Sequence, residues 1–276
     1  MAEGKDVKHY RIGEYAQKMG VTPDLLKHYE KIGLIHSHTT ASGYRYYPFT
    51  ESVPLLECLG LRNLGVSLQE MQGLLYDADY DAASALLKRK LQEMQHQLVM
   101  QQAILQAHEH DVRWMEQIRE RETFVLLEER PAMLFLPQSR EHDFLEDERI
   151  SEILGEWINW MPVVKSCRRF SWTGTEWSFS QASWGLALEE KKAKTYGIPV
   201  NGVVEKVPGG RTLICHYRMD AGKEDREEPL DVMQDWMTRL FPGKATAAYQ
   251  TVLLNLHRAQ ARVRMGWFTV PVGLNV

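Results

Sequence analysis

Between Gly73 and Pro131 the chain runs for 57 residues without glycine or proline. Within that stretch Leu87, Leu91, Met94, Leu98, Gln101, Leu105, His108, Val112 and Met115 follow one another at alternating steps of four and three. Steps averaging about 3.5 residues hold one stripe on one side of a helix, which is the seam of a coiled coil. The pattern predicts a long helix over residues 77–122 that associates with a second such helix. A long amphipathic helix packed on its own domain is the alternative. Gln101 and His108 interrupt the stripe, and polar seam residues set register or orientation at some cost in stability.

Residues 1–76 read as short helices with turn signals. A helix over Ile12–Met19, a turn at Gly20-Val21 and a second helix from Pro23 to Lys31 have helix-turn-helix proportions. Thr22 is a hydroxyl N-cap, Pro23 stands at the first helical position and Asp24 faces the positive end of the dipole. Gly33 ends the second helix. Ser42, Gly43, Tyr44, Arg45, Tyr46 and Tyr47 make an aromatic hairpin, or wing, opened by glycine. A further helix starts at Thr50, with Val53, Leu55, Leu56, Leu59 and Leu64 as core positions. Ser67 and Glu70 form a capping box for a short last helix.

Beyond Pro131, residues 170–179, 211–219, 247–256 and 262–270 are strand-like, with helical patterns at 150–161 and 230–241. Strand, helix and strands occur in that order twice, which predicts a pseudo-duplicated antiparallel α+β domain over residues 123–276. The fold class is therefore α+β and multidomain: winged helix-turn-helix, long dimerisation helix, C-terminal antiparallel α+β domain.

Composition narrows the class of protein more than its function. With 44% hydrophobic and 25% charged residues the chain is an ordinary globular protein. It has no apolar run of membrane-spanning length and no signal peptide at its start, so the expected place is the cytoplasm, with no membrane partner. Cys58, Cys167 and Cys215 are odd in number and far apart, which argues for buried apolar residues and against disulfides or a metal site. No cofactor is implied.

Charge opposes a nucleic-acid role at first sight. Residues 1–76 hold eight Lys or Arg against eight Asp or Glu, and duplex affinity rests largely on cations neutralising phosphates. The cations must share a face for DNA to be the partner. Tyr29, Arg45 and Tyr46 are the residues whose chemistry suits such a surface, because hydroxyls and guanidinium groups on a helix and a hairpin hold phosphates. Core packing is the other reading of the tyrosines, and is favoured for Tyr15.

The same residues resemble the MerR family of transcription regulators. The resemblance is carried by Arg11-Ile12-Gly13-Glu14-Tyr15-Ala16, Gly20-Val21-Thr22, Leu26-Lys27-His28-Tyr29-Glu30-Lys31-Ile32-Gly33-Leu34-Ile35, Gly43-Tyr44-Arg45-Tyr46-Tyr47 and the run from Leu61 to Glu70. It implies that the second helix enters the major groove, that the wing touches backbone, and that a long antiparallel helix pair makes a homodimer. Thr22, Lys27, His28, Tyr29, Tyr44, Arg45 and Arg62 are then DNA contacts, with double-stranded promoter DNA and RNA polymerase holoenzyme as partners. Lys27 and His28 depart from the Arg-Tyr usual in the family.

Residues 123–276 are similar, more loosely, to the GyrI-like ligand-binding domain of the multidrug-sensing, BmrR-type branch. Trp177-Ser178-Phe179, the run Val207 to Tyr217, Ala248-Tyr249-Gln250 and Trp267 to Val272 carry that likeness. It implies a small aromatic or hydrophobic effector, with Trp157, Trp172, Trp177, Tyr217, Tyr249 and Gln250 as pocket residues. Gln250 stands where the branch has a glutamate, and glutamine does not offset a cation's desolvation. Neutral effectors are therefore expected, unless Glu176, Glu189 or Glu205 supplies charge. By the resemblance, the dimer activates transcription by bending and untwisting an over-long promoter spacer when effector binds.

Two other functions compete. The C-terminal domain is an enzyme tethered to DNA, or it binds a protein through its tryptophans, seven of eight of which lie beyond residue 150. Cys215 and His216 are the tempting nucleophile and base, but neighbours on a strand point to opposite faces. The expectation is a regulator with no enzymatic activity.

Overall fold

The computed structural model describes residues 7–40, 43–120, 123–141, 143–173, 176–221, 228–242, 247–258 and 261–272. The chain divides into two compact units, residues 1–98 and 99–276. The division falls inside the long helix, away from the boundaries near 76 and 122 that the sequence suggested. The reason is packing: Ala103, Trp114 and Ile118 are buried with residues of the second unit.

In the first unit β1 (His9–Arg11) leads into α1 (Ile12–Met19), and α2 (Pro23–Lys31) follows after a three-residue turn. Gly20 sits at φ 67°, a left-handed conformation that side chains other than glycine strain to adopt. Thr22 caps α2 through its Oγ1, which accepts from the Leu25 amide at 3.2 Å. β2 (His38–Thr39) and β3 (Arg45–Pro48) form with β1 an antiparallel wing in the order β1-β3-β2. Ser42, read as part of the wing, lies outside the described residues.

α3 (Ser52–Asn63) starts after a 3₁₀ turn. It buries Ser52, Leu55 and Cys58, spaced by three, so Val53, Leu56 and Leu64 are exposed and do not belong to the core as expected. α4 (Leu68–Gln72) opens on the capping box: Ser67 Oγ accepts from the Glu70 amide and Glu70 Oε2 from the Ser67 amide. These bonds hold the Glu70 pKa down at about 2, helped by Lys90. Lys90 belongs to α5 (Tyr80–Glu120), a single helix of 41 residues.

The second unit is built on one eight-stranded, wholly antiparallel sheet. After α5 come β4 (Thr123–Arg130), β5 (Met133–Pro137), the short pair β6 (Ser139–Arg140) and β7 (Asp143–Phe144), and α6 (Glu148–Asn159). β8 (Lys165–Trp172) and β9 (Trp177–Glu189) form a hairpin in which Trp172 faces Trp177. The run read as one strand over 170–179 is thus the end of β8 and the start of β9. α7 (Glu190–Tyr196), β10 (Glu205–Val207), β11 (Gly210–Ala221), α8 (Glu228–Leu240), β12 (Ala247–Arg258) and β13 (Ala261–Pro271) complete the chain.

Strand order is β10-β5-β9-β8-β12-β13-β11-β4. Strand, helix and hairpin therefore recur as β5-α6-β8-β9 and β11-α8-β12-β13, mirrored about the β8/β12 seam, as the repeated pattern predicted. Each half buries one face beneath its helix. Leu134, Leu136, Leu186 and Leu188 lie under Ile150, Ile153 and Trp157 of α6, while Phe170, Cys215 and Phe268 lie under Met233 and Met237 of α8. The alternate residues Phe135, Ala187, Cys167 and Tyr249 cluster on the opposite face, as the two-residue period of a strand requires.

All three cysteines are buried and unpaired. Burial pushes the Cys167 and Cys215 thiols up to about 12, which leaves them inert at neutral pH. Among the described residues no helix is long and apolar enough to cross a membrane. No group of His, Cys, Asp or Glu among them suits a metal ion.

Candidate functional site

Two surfaces carry chemistry, one in each unit. In the first, α2 and the wing share a node at Glu30. Its carboxylate takes the Tyr47 hydroxyl at 3.1 Å, the Arg45 guanidinium at 3.1 Å and the Ser37 hydroxyl. Arg45 is thereby aimed by helix α2, although it stands on the hairpin. Arg11 organises the wing's other aromatics: its Nε donates to the Tyr46 hydroxyl at 3.2 Å and its guanidinium lies 5.3 Å over the Tyr44 ring. Tyr44 itself is 57% exposed.

Lys27, His28 and Arg62 are also exposed, and Thr22 stands exposed at the start of α2. Lys27 is held by Asp24 at 2.9 Å and Arg45 by Glu30, so part of the acidic charge of this neutral segment is taken up in pairs with its cations. Exposed pairs of this kind contribute little to stability and yield readily to a phosphate. Tyr29 is a correction. It is 1% exposed, because Leu26 and Tyr29 lie three apart on the buried face of α2, and its ring belongs to the core. Its hydroxyl lies near the Arg62 guanidinium without hydrogen-bonding geometry. Arg11 and Glu30 were missed as site residues, since their roles rest on partners 35 and 15 positions away.

The second surface is a cleft of about 400 Å³ in the sheet domain. One wall is helical, from Ala103, Gln106, Ala107, His110 and Asp111 of α5. The floor is the sheet face away from α6 and α8: Met133, Ala187, Tyr249, Thr251, Trp267 and Thr269. Charged groups also line it. Asp111 is paired through Oδ2 with Lys165, and Glu189 accepts from Lys192 at 2.6 Å. Burial pushes the Lys165 pKa down, and Asp111 opposes it.

Of the six residues expected in a pocket, Tyr249 alone lines this cleft. Gln250 is 4% exposed and faces α8, where its Nε2 donates to the Tyr217 hydroxyl at 2.9 Å. Neighbours on one strand cannot both face one cavity, so Tyr249 and Gln250 were incompatible expectations. Tyr217 and Trp177 lie in the core beneath α8, and Trp172 packs on Trp177 with ring centroids 4.5 Å apart. Trp157 is fully buried on the sheet-facing side of α6, its Nε1 donating to the Pro199 carbonyl at 2.8 Å. Of the carboxylates considered as charge suppliers, Glu189 lines the cleft and Glu205 instead pairs with Arg169. Asp111, Lys165 and Lys192 carried no local signal: each is one charged residue among many in its element.

A Gln250→Glu variant is consequently expected to lose stability without gaining affinity for cations. A carboxyl buried beside Tyr217 has its pKa raised by desolvation. A raised folded pKa means that the variant matches its parent best below the unfolded value near 4.3 and falls behind as pH rises. Melting temperatures of parent and variant at pH 5 and pH 8 test this; equal losses at both would contradict the buried placement.

His216 is on the opposite face from Cys215, so the two do not form a catalytic pair. Its Nδ1 accepts from Trp114 Nε1 at 2.7 Å, and it stacks on Phe124 at 4.7 Å. Burial, then Arg130 and His110, bring its pKa down to about 4. The neutral ring is the folded form, so the contribution of this contact is intact above pH 6.5 and is lost as pH falls toward 4. A His216→Gln variant should show a shallower fall in melting temperature across that window than the parent.

The model of MerR HTH family regulatory proteins matches residues 10–78. An uncharacterised HTH-type transcriptional regulator of Pseudomonas aeruginosa is 36% identical over 96 residues, which are 30% of this chain and 73% of that protein. ZntR of Escherichia coli, an HTH-type transcriptional regulator, is 30% identical over 102 residues, 34% of this chain and 72% of its own. The mercuric resistance operon regulatory protein of Bacillus cereus is 38% identical over 76 residues, 27% of this chain and 57% of that one. Among solved structures, EcmrR in a complex with DNA aligns over 95% of this chain and 98% of its own at 14% identity, with a TM-score of 0.37. A hydrolase from Listeria innocua aligns over 55% and 92% at 12% identity, with a TM-score of 0.34.

Proposed function

The chain belongs to the MerR family of helix-turn-helix transcription regulators, and from that premise we propose that it works as an effector-responsive homodimer on promoter DNA. The first unit binds the duplex, α2 entering the major groove and the wing lying on the backbone, with Thr22, Lys27, His28, Tyr44, Arg45, Tyr46 and Arg62 as contacts. Tyr29 supports them from the core. A small aromatic or hydrophobic molecule occupies the cleft of the second unit.

One observation carries this reading: α5 holds both an exposed apolar seam and a wall of the cleft. Leu87, Leu91, Met94, Leu98, Leu105 and Val112 are 39–58% exposed along it, while Ala103, Gln106, Ala107, His110 and Asp111 face the cleft. Val112 of the seam adjoins Asp111 of the cleft. A ligand that moves this helix therefore acts on the joint between two protomers, and through it on the spacing of the two DNA-binding units.

In this mechanism the effector-bound dimer bends and untwists the promoter so that RNA polymerase holoenzyme engages both of its elements. The deformation costs on the order of several kcal/mol and is supplied by protein contacts. Duplexes selected by the full-length chain from a random pool are expected to carry two inverted half-sites. Single, asymmetric sites would overturn the dimer. Transcription from such a site that no cleft ligand alters would overturn the sensor.

A further inference from the structure

Asp111 is an unusual lining residue. Its side chain is 6% exposed, and its two oxygens are treated differently. Oδ2 takes the Lys165 ammonium, whereas Oδ1 has no hydrogen-bond partner among the described residues. His110 Nδ1 stands 3.7 Å from it, too far for a hydrogen bond. A buried carboxylate oxygen without a donor is rare and costly in a folded protein. Here it belongs to a residue lining a cleft that the proposed function assigns to an effector.

The charge around it decides what kind of donor fits. Arg130, Lys165 and Lys192 line the cleft against Asp111 and Glu189, three cations to two anions, leaving a surplus of one positive charge. The Asp111 charge is already balanced by Lys165, and Lys192 stands close enough to Lys165 to act on it electrostatically. A cationic ligand entering here meets more repulsion than attraction. A neutral hydroxyl or amide completes the carboxylate's hydrogen bonding without adding charge. The rest of the lining, with Met133, Val163, Tyr249, Trp267 and Pro271, suits a flat apolar body.

We infer that the effector is an uncharged aromatic molecule carrying an O–H or N–H group, and that Asp111 Oδ1 accepts a hydrogen bond from that group. The inference rests on the proposed role of the cleft and goes beyond it in naming the ligand's chemistry and the atom that reads it. Asp111 is a residue of the long helix. The ligand's polar group is therefore held by the same element that carries the exposed seam.

Three probes of one skeleton test it: 2-naphthol, 2-methoxynaphthalene and 2-(aminomethyl)naphthalene, the last a cation at neutral pH. Each is titrated calorimetrically into the full-length protein, and the first two also into an Asp111→Leu/Lys165→Met double variant. The double change removes both partners of the buried pair, so neither charge is stranded. 2-Naphthol should bind about tenfold tighter than its methyl ether, and the advantage should fall to within twofold in the double variant. An Asp111→Asn variant, which keeps the side chain's shape, should shrink the advantage as well.

Equal affinity for the naphthol and the ether in the parent protein would overturn the role of Asp111 while leaving the cleft a binding site. So would an advantage that survives the double change. Tightest binding by the amine would overturn the neutral class. Saturable binding by none of the three would tell against the effector cleft itself, and the inference would go with it.

Discussion

Replacing Leu91, Leu98 and Leu105 together by glutamate is expected to leave a monomer of 32.0 kDa by sedimentation and to weaken operator binding by at least about a hundredfold. All three are exposed on one side of α5, so the substitutions disturb no buried contact within the chain. The helix itself should survive. Its start is tied to α4 by Arg89 and Lys90 on Glu70, and its end is anchored by the buried Ala103, Asp111, Trp114 and Ile118. Across a dimer seam, however, the new carboxylates would face an apolar partner surface or one another, and both arrangements are unfavourable. Without its partner each DNA-binding unit would hold a single half-site. Circular dichroism equal to the parent's, combined with monomeric sedimentation, is the expected pair of results. A triple variant that still sediments as a dimer would show that the seam is not the joint.

Gly266→Ala is expected to destabilise the sheet domain by about 3 kcal/mol or more. Gly266 stands in β13 between Val252 of β12 and Tyr217 of β11. A Cβ there would come within 2.0 Å of the Thr251 carbonyl oxygen and 3.1 Å of the Tyr217 hydroxyl. The first of these is backbone, so no side-chain rotation relieves the clash, and the hairpin must open. Thr251 lines the cleft, and the Tyr217 hydroxyl takes the Gln250 amide. The same strain thus reaches the floor of the cleft and the core under α8. For a unit of this size the loss corresponds to a fall of roughly 6–12 °C in melting temperature. Gly13, whose added Cβ would meet nothing within 4 Å, is the control. A Gly266→Ala protein that melts with its parent would contradict the close approach of β12 and β13.

Much of the DNA-binding unit was legible because its signals are local. A hydroxyl followed by proline and an acid at Thr22-Pro23-Asp24, a left-handed turn at Gly20, and a capping box spanning Ser67 to Glu70 each act within a few residues. Local chemistry of that kind does not depend on the rest of the chain. The exceptions are instructive. Tyr29 and Leu56 were misassigned because a helix has apolar residues on more than one side, and which side is buried depends on what packs against it. Arg11 acquires its place only when β1 and β3 pair and bring Tyr44 and Tyr46 alongside.

The cleft was legible only in Tyr249. Reading Trp157, Trp172, Trp177, Tyr217 and Gln250 as its walls used residue type, which suits a pocket and a core equally well. The strands themselves were visible as runs and their repeat as a duplicated order, but a run does not say which of its two faces meets a helix.

By itself, then, the order of residues determined the helix-turn-helix, the long helix with its exposed seam, the buried thiols and the twofold recurrence of strand, helix and hairpin. Only the tertiary structure decided where the cleft lies and what lines it. Alternate residues of every strand point to opposite faces, so the packing of α6 and α8 on one face left Tyr249, Thr251 and Thr269 to the other. The paired charges Asp111 and Lys165, 54 residues apart, meet for the same reason: no local rule connects them, and the burial they share exists only once helix and sheet have come together.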